Sequence, residues 1–208
     1  MISALDKAAR AAGLTVLGGL HDCNETILLI GPDEPAFWSI FTASPEYHDD
    51  GKDPLDRWSK RVIGGVAAQF QAKAVFPSDG PPYPPFIQWA LASGRCWVSP
   101  AHLLVHDTAG LFASFRGALK LSGRHEMPAP PSNSPCDDCT APCTTACPVD
   151  AFASGGYDVA ACKVHIETSA GSGCYSGCLV RRACPISQAY GRLPEQSEFH
   201  MKAFHPND

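Results

Sequence analysis

Eight of the ten cysteines in this 208-residue chain fall between Cys136 and Cys184. The first four form Cys136-Asp-Asp-Cys139-Thr-Ala-Pro-Cys143-Thr-Thr-Ala-Cys147-Pro148, a C-x2-C-x3-C-x3-C-P run. Bacterial ferredoxins use C-x2-C-x2-C-x3-C-P to hold iron–sulfur clusters, so this run carries one inserted residue. Three thiolates close in sequence can take three corners of a cubane, while the fourth, carried past a short turn and followed by proline, serves a second cluster. Cys162, Cys174, Cys178 and Cys184-Pro185 follow, separated by 11, 3 and 5 residues. Applying the same crossover to both sets assigns Cys136, Cys139, Cys143 and Cys184 to one [4Fe–4S] cluster. Cys147, Cys162, Cys174 and Cys178 go to the other. The two cysteines given away are then the two followed by proline.

Zinc is the competing metal, because two four-thiolate zinc sites would also use eight cysteines. Zinc knuckles normally come as pairs of short C-x-x-C motifs, whereas here four cysteines crowd into one run. Free thiols or disulfides are the remaining alternative. After the first run, Pro148-Val-Asp-Ala-Phe152 is expected to form a short helix. Val149, Phe152, Val180 and Ile186 would supply a dry shell, one of the levers on reduction potential. Arg181 and Arg182 read either as a solvated basic pair or as charges that favour a reduced cluster. Cys23 and Cys96 lie outside the eight-ligand set and are expected to be packed, inert thiols.

The elements that position this constellation divide at Pro128-Ala-Pro-Pro-Ser-Asn-Ser-Pro135, a connector too rich in proline for helix. The expected domains are 1–131, an α+β sheet domain, and 132–208, a ferredoxin-like two-cluster domain. In the first, Ile2, Leu5, Ala8, Ala9 and Ala12 before Gly13 predict an amphipathic helix with a glycine stop. Leu14–Leu17 and Thr26–Ile30 read as strands of one sheet. Leu55, Trp58, Val62, Val66 and Phe70 recur at helical spacing, predicting a helix over 54–73 with Pro54 in its first turn. Residues 77–85 are a proline-rich rigid loop before a helix at Phe86–Ala92. Leu103–His106 and Leu111–Leu119, separated by Asp107-Thr-Ala-Gly110, are expected to pair as a β-hairpin.

Net charge is −5 overall, −2 over 1–131 and −3 over 132–208. No clustered Lys/Arg surface offers itself to phosphate backbones, so nucleic acid is not the expected partner. No apolar stretch approaches the roughly 20 residues of a membrane-spanning helix. Asp6, Lys7 and Arg10 interrupt any secretory apolar core, so the expected location is a reducing cytoplasm, where cysteines serve as ligands or catalytic thiols.

Over about residues 50 to 188 the order of these features resembles the epoxyqueuosine reductase family, cobalamin-dependent iron–sulfur enzymes of transfer-RNA queuosine synthesis. The resemblance is carried by Asp158-Val-Ala-Ala-Cys162, similar to that family's isolated cysteine, and by Gly173-Cys174 to Cys184-Pro185, similar to its final cysteine group with longer spacings. Ala90-Leu-Ala-Ser-Gly-Arg-Cys-Trp97, Leu103-Leu-Val-His106 and Gly110-Leu-Phe112 are similar to a family segment in which a glycine-rich aromatic turn precedes a hairpin. The resemblance implies a cobalamin-binding α+β domain beside the ferredoxin module. The chain departs from the pattern at the family's catalytic Asp, where it has the proline-rich Gly80–Pro85 with Asp79 the nearest carboxylate. It also has no helical-repeat portion after its last cysteine. A shortened paralogue is the expectation.

Within the first domain, Asp79, Tyr83, Trp97, His102 and Arg116 are the candidate cofactor-binding residues, grouped around the proline-rich loop and the tryptophans as one wall of a cleft. Asp79 and Tyr83 could serve as proton donors. His102 and His106 are expected on one face of extended chain. Three functions compete. The first is an electron carrier with two [4Fe–4S] clusters and a redox partner protein. The second is an oxidoreductase using cobalamin or flavin, and the third a zinc-stabilised binding module.

Overall fold

Gly13, at φ 78°, ends the first helix, α1 (Ile2–Arg10), in a backbone conformation that residues with a Cβ seldom adopt. The computed structural model describes residues 1–153 and 156–205. It divides into two units, Met1–Cys96 with Ser114–Ser132, and Trp97–Ala113 with the chain from Asn133 onward. The Pro/Ser connector thus contains one boundary, between Ser132 and Asn133. Residues 97–113, placed in the first domain by sequence, belong to the second unit.

The first unit is built on a four-stranded antiparallel sheet. β1 (Leu14–Asp22) and β2 (Glu25–Pro32) form a hairpin closed by Cys23-Asn24, in register from Asp22↔Glu25 to Leu14↔Pro32 with a bulge between Val16 and Gly18. Cys23 takes φ 50° in this turn and is exposed, so only Cys96 of the two outlying cysteines is the packed thiol expected.

Three helices follow: α2 (Ala36–Thr42), α3 (Pro45–His48) and α4 (Pro54–Gln69). Trp58 of α4 meets the rings of Phe37 and Phe41 edge-on at 5.4 and 5.7 Å, an arrangement that aromatic quadrupoles favour. The α4 helix opens on Pro54 as expected but stops before 73. Gln71 turns left-handed (φ 54°) and the chain continues as β3 (Lys73–Val75). After the proline-rich loop, α5 (Phe86–Ala92) packs against β1.

β4 (Cys96–Val98), on which the chain passes from one unit to the other, pairs with β5 (Leu104–His106). The hairpin expected between Leu103–His106 and Leu111–Leu119 does not form. β6 (Gly117–Ser122) returns to the first unit and inserts between β2 and β3, giving the order β1-β2-β6-β3. The apolar run is shared out, with Leu119 fully buried in a central strand and Leu111 in the other unit's core. Pairing on both edges satisfies the backbone of β6 more completely than one hairpin partner could. The α+β class therefore holds, with an antiparallel sheet and segregated helices.

The second unit is made of short pieces: a 3₁₀ turn at Pro142–Thr144, α6 (Val159–Ile166), a 3₁₀ turn at Ser169–Cys174, α7 (Leu179–Ala183), α8 (Pro185–Ala189) and α9 (Pro194–Phe204). Its core joins Ala101, Val105, Leu111, Cys143, Val180 and Cys184. The short helix expected after Cys147 is instead a set of turns, because Asp150 is left-handed at φ 51°. Among the described residues no helix is long and apolar enough to cross a membrane.

Candidate metal centre

The local backbone explains how each thiol is presented. Ala141 is left-handed at φ 53°, which folds the inserted residue between Cys139 and Cys143 into a tight turn and places Cys143, buried, on the first 3₁₀ turn. Cys162 sits on α6, whose start is capped by Asp158 accepting the N–H of Ala161 at 2.9 Å. Gly171 lies so close to the carbonyl of His165 that a Cβ would stand 2.7 Å from that carbonyl carbon, and this approach folds the 3₁₀ turn that ends at Cys174 back on α6. Cys178 precedes α7, and Cys184 stands between α7 and α8 at φ −68°, ψ 123°, the extended conformation that a following proline imposes.

These turns bring four of the cysteines to one cavity. Cys136, Cys139, Cys143 and Cys184 all line one cavity of about 380 Å³ whose walls include Val105, Leu111, Pro142 and Ile186. Burial pushes the Cys136 thiol above its ordinary pKa, and the charges of Cys139, Cys143 and Cys184 push it further. Cys143 is raised likewise, by burial first and then by Cys184 and Cys139. In the other set, burial raises Cys162 and Cys174, and the cysteines acting on Cys174 are Cys178, Cys162 and Cys147. The four thiols raised in this way thus each feel members of their own set. A cationic centre is what would let such thiols ionise together.

Backbone donors already point at two sulfurs, Ala141 N–H to Cys139 Sγ at 3.4 Å and Ala151 N–H to Cys147 Sγ at 3.3 Å. The Tyr157 hydroxyl is hydrogen-bonded to the Cys162 thiol. Burial and that bond raise the pKa of the phenol. Of the expected apolar shell, Val180 is buried and Phe152 and Ile186 pack on the core, while Val149 is exposed. Among the described residues no three His, Cys, Asp or Glu side chains draw together tightly enough to share a single ion.

Arg181 and Arg182 part company. Arg181 is enclosed and donates to the carbonyl of Leu111, and burial pulls its guanidinium below the usual value against the opposing charge of Cys178. Arg182 is exposed and donates to Gly173 O at 3.3 Å. Neither Tyr157 nor the burial of Arg181 has a signature in the sequence, since both depend on which way α6 and α7 turn their faces.

The five cofactor candidates are divided between the two units. Asp79 accepts the N–H of Phe76 at 2.9 Å and lies 3.8 Å from Lys60, Tyr83 is exposed, and Arg116 lies 3.6 Å from Asp56, all in the first unit. Trp97 and His102 belong to the second unit, where Trp97 packs on the core and His102 is an exposed residue at φ 57°. None of the five lines the cavity that Cys136, Cys139, Cys143 and Cys184 share. The expected pairing of His102 and His106 on one extended face also fails. His106 is fully buried and its Nδ1 accepts the N–H groups of Thr108 and Ala109, each at 3.1 Å. Asp107 Oδ1 lies 3.0 Å from the same nitrogen.

Comparison with protein-family models, with curated proteins and with solved structures finds no match to this chain.

Proposed function

We propose that the second unit is an electron-transfer module holding two [4Fe–4S] clusters, one on Cys136, Cys139, Cys143 and Cys184, the other on Cys147, Cys162, Cys174 and Cys178, and that it serves a redox partner protein. The observation that carries the reading is the cavity lined by all four cysteines of the first set, with apolar side chains between them. Zinc would need its four thiolates gathered on one ion, and no such tight group is present among the described residues. A cubane instead binds each thiolate to a separate iron, which suits four sulfurs spread around a cavity.

When bound, such a cluster supplies one-electron storage and release. The residues of this chain do the rest. Val105, Leu111 and Ile186 keep water from the first set. The N–H groups of Ala141 and Ala151 and the Tyr157 hydroxyl donate toward sulfur, stabilising the more negative reduced state, and buried Arg181 adds a positive charge beside Cys178. Iron and sulfide quantification on anaerobically purified protein tests the assignment, with about eight irons per chain expected. About four irons, or zinc in place of iron, would overturn it. In the same sample, stoichiometric corrinoid or flavin absorbance would replace the carrier with a reductase of the kind the family resemblance implies.

A further inference from the structure

The second unit contains another cavity, of about 560 Å³, that none of the eight cysteines lines. Two guanidiniums border it, Arg182 at the end of α7 and Arg192 just before α9, together with Ser176, Ser187, Gln188 and Ser197. No carboxylate is found among the described residues that line it, although the chain as a whole carries net charge −5.

The side chains around this space are held as donors. Arg192 is braced over the ring of Phe112 at 5.5 Å, which orients its guanidinium. Ser187 is 2% exposed, and its hydroxyl accepts the N–H of Leu111 at 2.8 Å, so its own proton remains to be given. Ser197 is 4% exposed and its side chain borders the same cavity.

We propose that this cavity is a binding site for the phosphate group of a small molecule. Two planar guanidiniums and three hydroxyls offer more donors than the two oxygens of a carboxylate accept, whereas a terminal phosphate presents three strong acceptor oxygens. The volume lies within the roughly 300–1,000 Å³ span of small-ligand pockets.

The test is isothermal titration of the full chain, purified anaerobically, with inorganic phosphate, pyrophosphate and succinate at fixed ionic strength, iron being counted on the same sample. Saturable binding of phosphate or pyrophosphate is expected. Because a hydrogen bond to a charged group is strong, Arg182→Gln should weaken that binding by at least about tenfold. Arg182 is exposed, so its variant does not threaten the fold. Arg192→Gln should act in the same direction, with circular dichroism as the check on folding. No saturable binding, binding untouched by Arg182→Gln, or succinate bound as tightly as phosphate would each overturn the proposal. Phosphate binding in a sample with too few irons would leave this site standing and fell the cluster assignment; about eight irons without phosphate binding would do the reverse.

Discussion

Ser187 Oγ accepts the backbone N–H of Leu111 at 2.8 Å, and this bond fastens the turn after β5 to helix α8 in the core of the second unit. Gly110 belongs to the same joint. It is left-handed at φ 57°, and a Cβ there would collide with the backbone nitrogen of Ser187. Ser187→Ala should leave the Leu111 N–H buried and unsatisfied, destabilising the unit by about 1–3 kcal/mol. Gly110→Ala should cost about as much through backbone strain and overpacking. Urea unfolding of each variant against the wild type is the measurement, and an unchanged midpoint for both would show that the joint contributes nothing.

Interleaving makes Cys147→Ser diagnostic. Cys147 closes the first run in sequence, yet its thiol acts on Cys162 and Cys174. The variant should lose the paramagnetic signal of the centre held by Cys162, Cys174 and Cys178 and largely keep the other. The opposite selectivity would mean that each run keeps its own fourth cysteine.

Tyr157→Phe removes the hydroxyl bound to Cys162 Sγ while keeping the ring, which stacks on Phe152 at 4.6 Å and 4°. Fewer hydrogen bonds to a cluster sulfur favour the oxidised state. The reduction potential of the Cys162 centre should therefore fall at unchanged iron content. A potential equal to that of the wild type would dismiss the hydroxyl as a tuning group.

The ion pair of Glu46 with Arg61, in which Arg61 Nη2 donates to Glu46 Oε2 at 2.8 Å, predicts an acid dependence in the first unit. The Arg61 guanidinium holds the Glu46 carboxyl at about 2, below its ordinary 4.5. The carboxyl's pKa is lower folded than unfolded, so the pair stabilises the fold in full above about 4.5 and loses that contribution as pH falls toward 2. Arg61 is 55% exposed, so after solvent screening the contribution is about 0.5–1 kcal/mol. Arg61→Gln should lower the urea midpoint near neutral pH and match the wild type near the carboxyl's folded value. A gap that stays constant on acidification would contradict this.

What the sequence made legible is what depends on neighbours along the chain. Cysteine spacing foretells that Cys136, Cys139 and Cys143 share one cavity because the turns between them are short. The start of α4 is readable because Pro54 tolerates only a first turn, and α1 because Gly13 stops it. Pairing between distant segments was not readable. The apolar run from Leu111 to Leu119 fits a hairpin strand equally well before and after it is divided between two cores. Arg181 and Arg182 are the same residue type side by side, and only the facing of α7 decides that one is enclosed and the other exposed. The five candidates for an organic cofactor were joined by proximity in sequence to a rigid loop, and Trp97 and His102 were carried into the other unit by β4 and β5.

On the proposed assignment the sets exchange their proline-flanked members, so neither foursome of thiols lies on a contiguous half of the cysteine region. Cys147 waits for Cys178, and Cys136 waits for Cys184, so both are completed by the same last stretch of chain. A ribosome-bound fragment ending before the 3₁₀ turn at Ser169–Cys174 would present five thiols, those of the first run and Cys162, with neither set complete. On the proposed assignment one set closes at Cys178 and the other only at Cys184, so the chain's own order of synthesis leaves both open until its last cysteines are made.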